Sequence, residues 1–487
     1  GQLSSCDYLD IVPDERAQES DTWKTEGAVR GYLYSCYGYL PANRTFGNSY
    51  WLAEELTAVT KELFTTFKYG YYSPVSLGFT SNTWSTIWNG IHQCYMFQES
   101  LKQVSNEYVT DEMKKQYLAE SNFLIAYYHF LSMRSYGPTM IIRSVIDLET
   151  PISGFPERSS IDEVVAFINE KLDEAMSEGG LPTTWSGKDY GRATRLAALA
   201  LKSRVYLYAA SPLYNGNTEM YADFRSPLDG RQLIAQEKSQ AKWEISATQT
   251  KYAIDEVEKA KFHLYHDADA GEPSDAKPGL PNKAQRRLRY TNIDNQTGNN
   301  PEIIWADTRN DDYYGIQRRC PPRQTLGGKF AGISMTNCPT LQTIEAFYTK
   351  NGLPINKDKT FDYDERYEYI SAPENCDGNN YEDLVKYANF TPSSDKVMRL
   401  CTDREPRFYA WTTYHNGYFE FGKYNNEEIS ADPAKRAIRI HLLRDDPHGR
   451  GNRTDQEYSI SGFGNKKGVV PSAEWNVIEY PFPLFRL

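Results

Sequence analysis

The segment AESNFLIAYYHFLSMRSYGP, Ala119 to Pro138, decides how the chain is read. Phe123, Ala126, Tyr127, Phe130 and Arg134 recur at i, i+3, i+4, i+7 and i+11, which places them on one face of an α-helix. Leu124, Tyr128, Leu131 and Ser135 form a second face beside it. A helix that is apolar on most sides must be covered by other helices, so this one belongs inside a helical array. Gly137 and Pro138 end it, because Gly accepts a left-handed cap and Pro cannot continue the hydrogen-bond ladder.

The neighbouring segments repeat the plan. Thr83 to Leu101 sets Trp84, Ile87, Trp88, Ile91 and Tyr95 on one stripe. Ser160-Ile161-Asp162-Glu163 reads as a capping box that opens a helix with Ile161, Val164, Ile168, Leu172 and Ala175 facing inward. After a break at Gly179-Gly180-Leu181-Pro182, the run from Gly191 places Ala193, Ala197, Ala200 and Arg204 at a spacing that allows close helix approach. A further helix is expected from about Trp243 to Tyr265. Paired helices without strict sequence repetition predict a mainly α fold, a tetratricopeptide-like stack of helix pairs. Beyond about residue 266, Gly, Pro, Asp and Asn dominate, and the chain reads as loops with brief helical pieces such as Leu341 to Tyr348. Long irregular stretches of this kind usually carry functional surfaces.

Composition narrows the classes of function. The 487 residues are 40% hydrophobic and 24% charged, in the range of a water-soluble globular protein. No run of eighteen or more apolar residues offers a membrane-spanning helix. The net charge of −11, with no basic cluster interleaved with aromatics, argues against a nucleic-acid partner. The chain holds 37 tyrosines, and Tyr pairs a flat apolar face with a polar tip, which suits ligands that are part apolar and part hydroxyl, such as sugars. No G-x-S-x-G, H-E-x-x-H or G-x-x-x-x-G-K-[ST] motif occurs, and paired carboxylates decide nothing among 65 acidic residues.

The cysteines divide into two kinds. Leu3-Ser4-Ser5-Cys6 has the order of a bacterial lipoprotein signal end, which makes Cys6 a candidate for lipid attachment. Acyl chains contribute ~0.8 kcal/mol per buried CH₂, so more than one chain anchors a protein stably. Among the rest, Cys36 and Cys94 fall in helical patterns and read as buried free thiols. There is no C-x-x-C pair and no His at zinc-ligand spacing, so no structural zinc site is expected. Asp267, Asp269 and Glu272 around Gly271 could bind calcium but lack the full spacing of a calcium loop and read better as a solvated acidic loop, so no cofactor is expected and calcium is the lesser alternative.

Taken in order, these segments resemble the SusD/RagB-like surface lipoproteins of Bacteroidetes, nutrient-binding proteins of the outer membrane. The family's Ala-Glu start, aromatic-rich helix and Tyr-Gly-Pro stop is similar to Ala119 to Pro138, and its Gly-Arg-x-Thr with an Ala-rich helix to Gly191 to Tyr208. Its Glu-x-x-Tyr-x-x-Asn/Asp-Gly-x-Pro pattern is similar to Glu345 to Pro354, and its Asp/Glu-Pro-Arg-Phe-Tyr pattern to Glu405 to Tyr409. Tyr95 departs from the family, which often has Asn there. The family normally continues past this point into a further helix rich in Leu, Tyr, Ala and Glu, so the chain is expected to be incomplete after Leu487.

The resemblance implies a leader and tether over residues 1–12 and one SusD-like domain over 13–487, its helical scaffold mostly in 20–265 and its loop-rich, ligand-binding part in 266–487. It implies a lipid-anchored protein on the extracellular face of the outer membrane. There it would bind oligo- or polysaccharide, without catalysis, and act as a lid on a SusC-like TonB-dependent transporter. A peptide-capturing member of the family and an all-helical glycoside hydrolase or lyase are the alternatives. Candidates for the ligand platform are Tyr69, Tyr71, Tyr72 and Trp84 around the first paired helix and Trp305, Asp307, Tyr313, Tyr314 and Arg318 in one loop-rich segment. Asn43, Arg366 and Tyr367 are further candidates. The competing reading for Trp84 and Trp305 is core packing.

Overall fold

The structure is a computed structural model. It describes residues 23–41, 54–59, 80–147, 149–270, 283–294, 300–309, 316–322, 335–371, 396–420, 437–446, 448–451, 457–469 and 482–487, with residues 70, 73, 75, 423, 424, 427 and 428. Within the span read as one domain, the chain forms two compact units. The first comprises Gly1–Leu40, Phe79–Trp185 and Arg192–Glu256, the second Pro41–Gly78, Ser186–Gly191 and Val257–Leu487.

The first unit is built from helix pairs of the tetratricopeptide-like kind. The helices are α1 (Glu26–Tyr37), α2 (Thr80–Gln103), α3 (Asp111–Tyr136), α4 (Ile161–Ala175), α5 (Arg195–Ala210) and α6 (Gln240–Lys259), whose last turn enters the second unit. Helix α3 packs against α1, α2, α4 and α5. Every residue from Ala119 to Met133 is buried, as a helix with two adjacent apolar faces requires. Thr110 caps its start, its hydroxyl accepting from the Met113 N–H at 3.3 Å. Gly137, at φ 72°, closes the far end by donating to Met133 O.

Close approach to α3 is set by a small residue on α2. A Cβ on Gly90 would lie 2.8 Å from Cζ of Tyr128, so the tyrosine ring occupies space that only Gly leaves open. Tyr128 then donates from its hydroxyl to Cys36 O on α1 at 2.6 Å, tying three helices together. Cys36 and Cys94 are buried thiols outside any disulfide, as are Cys320, Cys338 and Cys401 in the second unit. Cys6 lies outside the described residues.

The expected capping box is present. Ser160 accepts from Glu163 N at 3.3 Å while Glu163 accepts from Ser160 N at 2.7 Å. Helix α6 corrects the expected range of Trp243 to Tyr265. It starts earlier, at Gln240, and stops at Lys259, because Lys261 turns left-handed at φ 72° and Phe262 donates back to Val257 O.

In the second unit the strands, among the described residues, form only two-stranded antiparallel sheets. The longest pairs β1 (Ile303–Asp307) with β8 (Phe482–Arg486), and Phe485 lies opposite Trp305. Other pairs are β2 (Tyr369–Ser371) with β3 (Lys396–Met398), β5 (Tyr418–Glu420) with β6 (Ala437–Arg439), and β4 (Thr412–Thr413) with β7 (Gly464–Asn465). The short helices of this unit include α7 (Lys283–Tyr290), α8 (Leu341–Ala346) and α9 (Pro406–Trp411). Ile344, Ile355, Phe361, Val397, Leu400, Phe408, Tyr414 and Phe463 make its core. Arg404 crosses that core as a buried cation, donating to the carbonyls of Leu400 at 2.6 Å, Ile344 at 2.8 Å and Phe347 at 2.6 Å. The bonds to Ile344 and Phe347 satisfy carbonyls at the C-terminal end of α8, and the bond to Leu400 ties that end to the turn Arg399–Cys401 ahead of α9.

Candidate functional site

Helix α8 is only six residues long, and its position is fixed by Thr340, whose hydroxyl accepts from Thr343 N at 3.2 Å. It presents Glu345 to the turn Tyr363–Tyr367. Arg366 donates from Nε to Glu345 Oε1 at 2.6 Å and from Nη1 to Tyr363 O at 2.9 Å. Tyr367 donates its hydroxyl to the same Glu345 oxygen. The guanidinium carbon of Arg366 lies 4.0 Å from the Tyr363 ring centroid and 4.3 Å from that of Tyr367, within cation–π range of both. The turn is pinned to the core beneath by Leu400, whose N–H donates to Arg366 O at 2.8 Å.

The electrostatics follow from these contacts. Partial burial pulls the Glu345 carboxyl up, but hydrogen bonds from Tyr367 and Arg366 outweigh it and hold the group below the usual carboxylate range. The same bond pushes the Tyr367 hydroxyl above its ordinary value. Glu345 is therefore ionised at neutral pH and is a poor proton donor, whereas a glycosidic general acid needs a raised pKa. Tyr367 remains 42% exposed. What results is a rigid aromatic and guanidinium surface with one ring open to solvent. Close by in sequence, the exposed ring of Tyr348 has Arg407 5.9 Å from its centroid, and Arg407 is itself paired with Glu405.

The sequence candidates fall in different places. Arg366 and Tyr367 are brought together around Glu345. Trp305 is 2% exposed on β1, donates from Nε1 to Gly191 O at 2.8 Å and stacks on Phe485 with centroids 5.8 Å apart, so the ring is buried and its polar atom is satisfied. Asp307, at the end of the same strand, grips Arg309 through Nε at 2.9 Å and through the Arg309 backbone N–H at 3.0 Å. Trp84, in the first unit, is half-buried and meets Trp88 and Tyr136 edge-on, with centroids 5.3 and 4.9 Å away. Arg318 lies in the short helix Ile316–Arg319, its side chain outside the description. Asn43, Tyr69, Tyr71, Tyr72, Tyr313, Tyr314 and Glu272 lie outside the described residues, while Asp267 and Asp269, expected in a solvated loop, stand in the short helix Asp267–Ala270, paired with Arg287 and with the His266 N–H.

Glu345 and Tyr363 were not among the candidates. Glu345 is legible as the first residue of the Glu-x-x-Tyr pattern, but its partner Arg366 follows only after an intervening turn-rich stretch, and no periodicity links them.

Comparison with known proteins gives the family. Residues 7–207 match a family described as "Starch-binding associating with outer membrane", and residues 301–487 match the one described as "SusD family". The chain belongs to the SusD/RagB family. Among solved structures, this SusD-family chain is similar to BT4246 at 27% identity and TM-score 0.74, over 95% of this chain and 77% of that one. It also shares the fold of a SusD-like protein (BF3747) from Bacteroides fragilis NCTC 9343, at 19% identity and TM-score 0.64, over 97% of this chain and 74% of that one. A SusD-like carbohydrate binding protein (BF0978) from the same strain aligns over 96% of this chain and 72% of that one, at 16% identity and TM-score 0.55. No curated protein matches. Among the described residues no helix is long and apolar enough to cross a membrane.

Proposed function

We propose that this SusD-family protein captures oligo- or polysaccharide without cleaving it and passes it to a SusC-like TonB-dependent transporter. In this reading it sits on the outer face of the outer membrane, held by lipid on Cys6. The observation that carries the capture step is the solvent-facing Tyr367 ring, backed by the Arg366 guanidinium and locked by Glu345. A sugar ring stacks on such a face through its C–H surface while its hydroxyls accept from Arg and donate to carboxylate. Because the site is fixed before the ligand arrives, little ordering entropy is lost on binding. The starch-binding description of the family matched by the N-terminal part supports the ligand class.

Aromatic contacts contribute about 0.5–1.5 kcal/mol each beyond burial, so two or three with accompanying hydrogen bonds approach the ~8 kcal/mol of micromolar affinity. That is tight enough to capture and loose enough to release. The test is calorimetric titration of the soluble chain against neutral polysaccharides and a tryptic peptide mixture, with product formation followed by chromatography. Heat with one polysaccharide and no new products supports the reading. Released oligosaccharide makes the protein an enzyme, and heat with peptides alone moves it to the peptide-capturing branch.

A further inference from the structure

The hairpin of β5 and β6 brings distant polar side chains to one buried place. Asn416, left-handed at φ 66°, donates from its backbone N–H to Ile440 O at 2.7 Å, and Ile440 donates to Gly417 O at 2.8 Å. This pair of bonds sets His415, before β5, beside His441, after β6. The chain then folds back at once. Asp446 donates from its backbone to Leu443 O at 2.9 Å, His448 to His441 O at 3.1 Å and Gly449 to Asp446 O at 2.9 Å. The turn is so tight that a Cβ on Gly449 would lie 1.9 Å from Leu443 O. Asp446 is thereby returned to the two histidines.

His415, His441 and Asp446 are all buried, and each offers a ligand atom within 4.8 Å of the others. His415 Nδ1 and Asp446 Oδ2 are 3.6 Å apart. That gap is outside hydrogen-bond range for two buried polar groups. It is close to the roughly 3.3 Å between two ligands of one tetrahedral ion with bonds of about 2.0–2.1 Å. His415 is 6% exposed, so its Nδ1 faces Asp446 away from bulk water. Asp446 Oδ2 is already oriented by the Leu443 N–H at 3.0 Å, the kind of supporting bond that fixes a ligating carboxylate.

We propose that His415, His441 and Asp446 form a binding site for one divalent transition-metal ion of the zinc class, which staples the β5–β6 hairpin to the turn that follows it. Two imidazoles and one carboxylate suit zinc, and three protein ligands leave a fourth position for water. Ligation through His415 Nδ1 displaces the Leu442 N–H that donates to it at 3.0 Å, one backbone hydrogen bond lost against the coordinate bonds formed. The spacing of these residues matches no zinc motif, because the fold and not a local repeat assembles them. The site does not depend on the capture reading above.

The experiment strips the full chain with chelator, reloads it with Zn²⁺ and measures metal content by mass spectrometry after exhaustive dialysis. One equivalent retained by the wild type, lost in H441A and D446N and kept in a variant lacking both His263 and His266, is the expected result. The half-buried His263 and Asp269 with the exposed His266 form the competing metal ligand set that this last variant removes. No retained metal, or retention unchanged in H441A and D446N but lost with His263 and His266, overturns the proposal. Should the variants fail to fold, the unaltered protein still decides. Co²⁺ substitution is expected to give the intense visible absorption of a tetrahedral site, with a melting temperature that chelator lowers, and absence of both refutes the site.

Discussion

Glu120 is the clearest point at which the first unit can be broken. It sits on α3, fully buried, and accepts from Arg192 Nη2 at 2.5 Å, Arg192 Nε at 3.2 Å and the Tyr37 hydroxyl at 2.6 Å. Tyr37 in turn accepts from Ala193 N at 2.9 Å, and Arg192 lies 4.0 Å from the Trp185 ring centroid. One carboxylate therefore joins α1 and α3 to the segment leading into α5. Removing it in Glu120→Ala leaves a buried guanidinium without its counter-charge, which costs about 3–5 kcal/mol. For a unit of this size each kcal/mol moves the melting temperature by about 2–4 °C, so a fall of roughly 10 °C is expected by calorimetry. The double variant Glu120→Ala/Arg192→Ala should lose far less than the sum of the two single changes, because no charge is stranded. A Glu120→Ala protein within about 1 kcal/mol of wild type, or strict additivity in the cycle, refutes the reasoning.

His129 is buried in α3, with Nδ1 placed to donate to Ile125 O at 2.8 Å and Nε2 accepting from Ile142 N at 3.2 Å, a pairing that needs the neutral ring. Burial lowers its pKa from 6.5 to about 4. The unfolded chain thus takes up a proton that the folded chain refuses, and stability should fall by roughly 3 kcal/mol as pH drops from about 6.5 to 4, then level off. Urea midpoints across that range should show the loss, and a flat profile contradicts it. Gly90→Ala should destabilise the α2–α3 contact by about 1–3 kcal/mol, because the added Cβ meets the Tyr128 ring, and a denaturation midpoint equal to wild type would exclude that contact. Trp305→Ala should lower stability by about 3–5 kcal/mol, since the ring is packed on Phe485, and a fall in glycan affinity at unchanged stability would instead place it on the ligand surface.

The first unit was legible because its signals are local. The all-round apolar stretch of Ala119 to Met133, the Ser160 and Glu163 box and the Gly137 stop each act within a few residues. The end of α6 was not, because Lys261 supplies the left-handed turn where a Gly would have announced it. In the second unit the deciding contacts are remote in sequence. Trp305 meets Phe485, Arg366 meets Glu345 and His415 meets Asp446 only after the chain has folded. Alternation within such short strands is too brief to carry register, so the candidate list mixed a core Trp with a surface Tyr.

Glycan capture by this protein requires that the Tyr363, Arg366 and Tyr367 surface hold a sugar. Titration of wild type and Tyr367→Ala side by side, against the polysaccharide that gives heat, tests it most directly. The variant removes one stacking face and is expected to weaken binding roughly tenfold or more while melting at the wild-type temperature. Equal affinity in the two proteins would contradict the assignment of this surface.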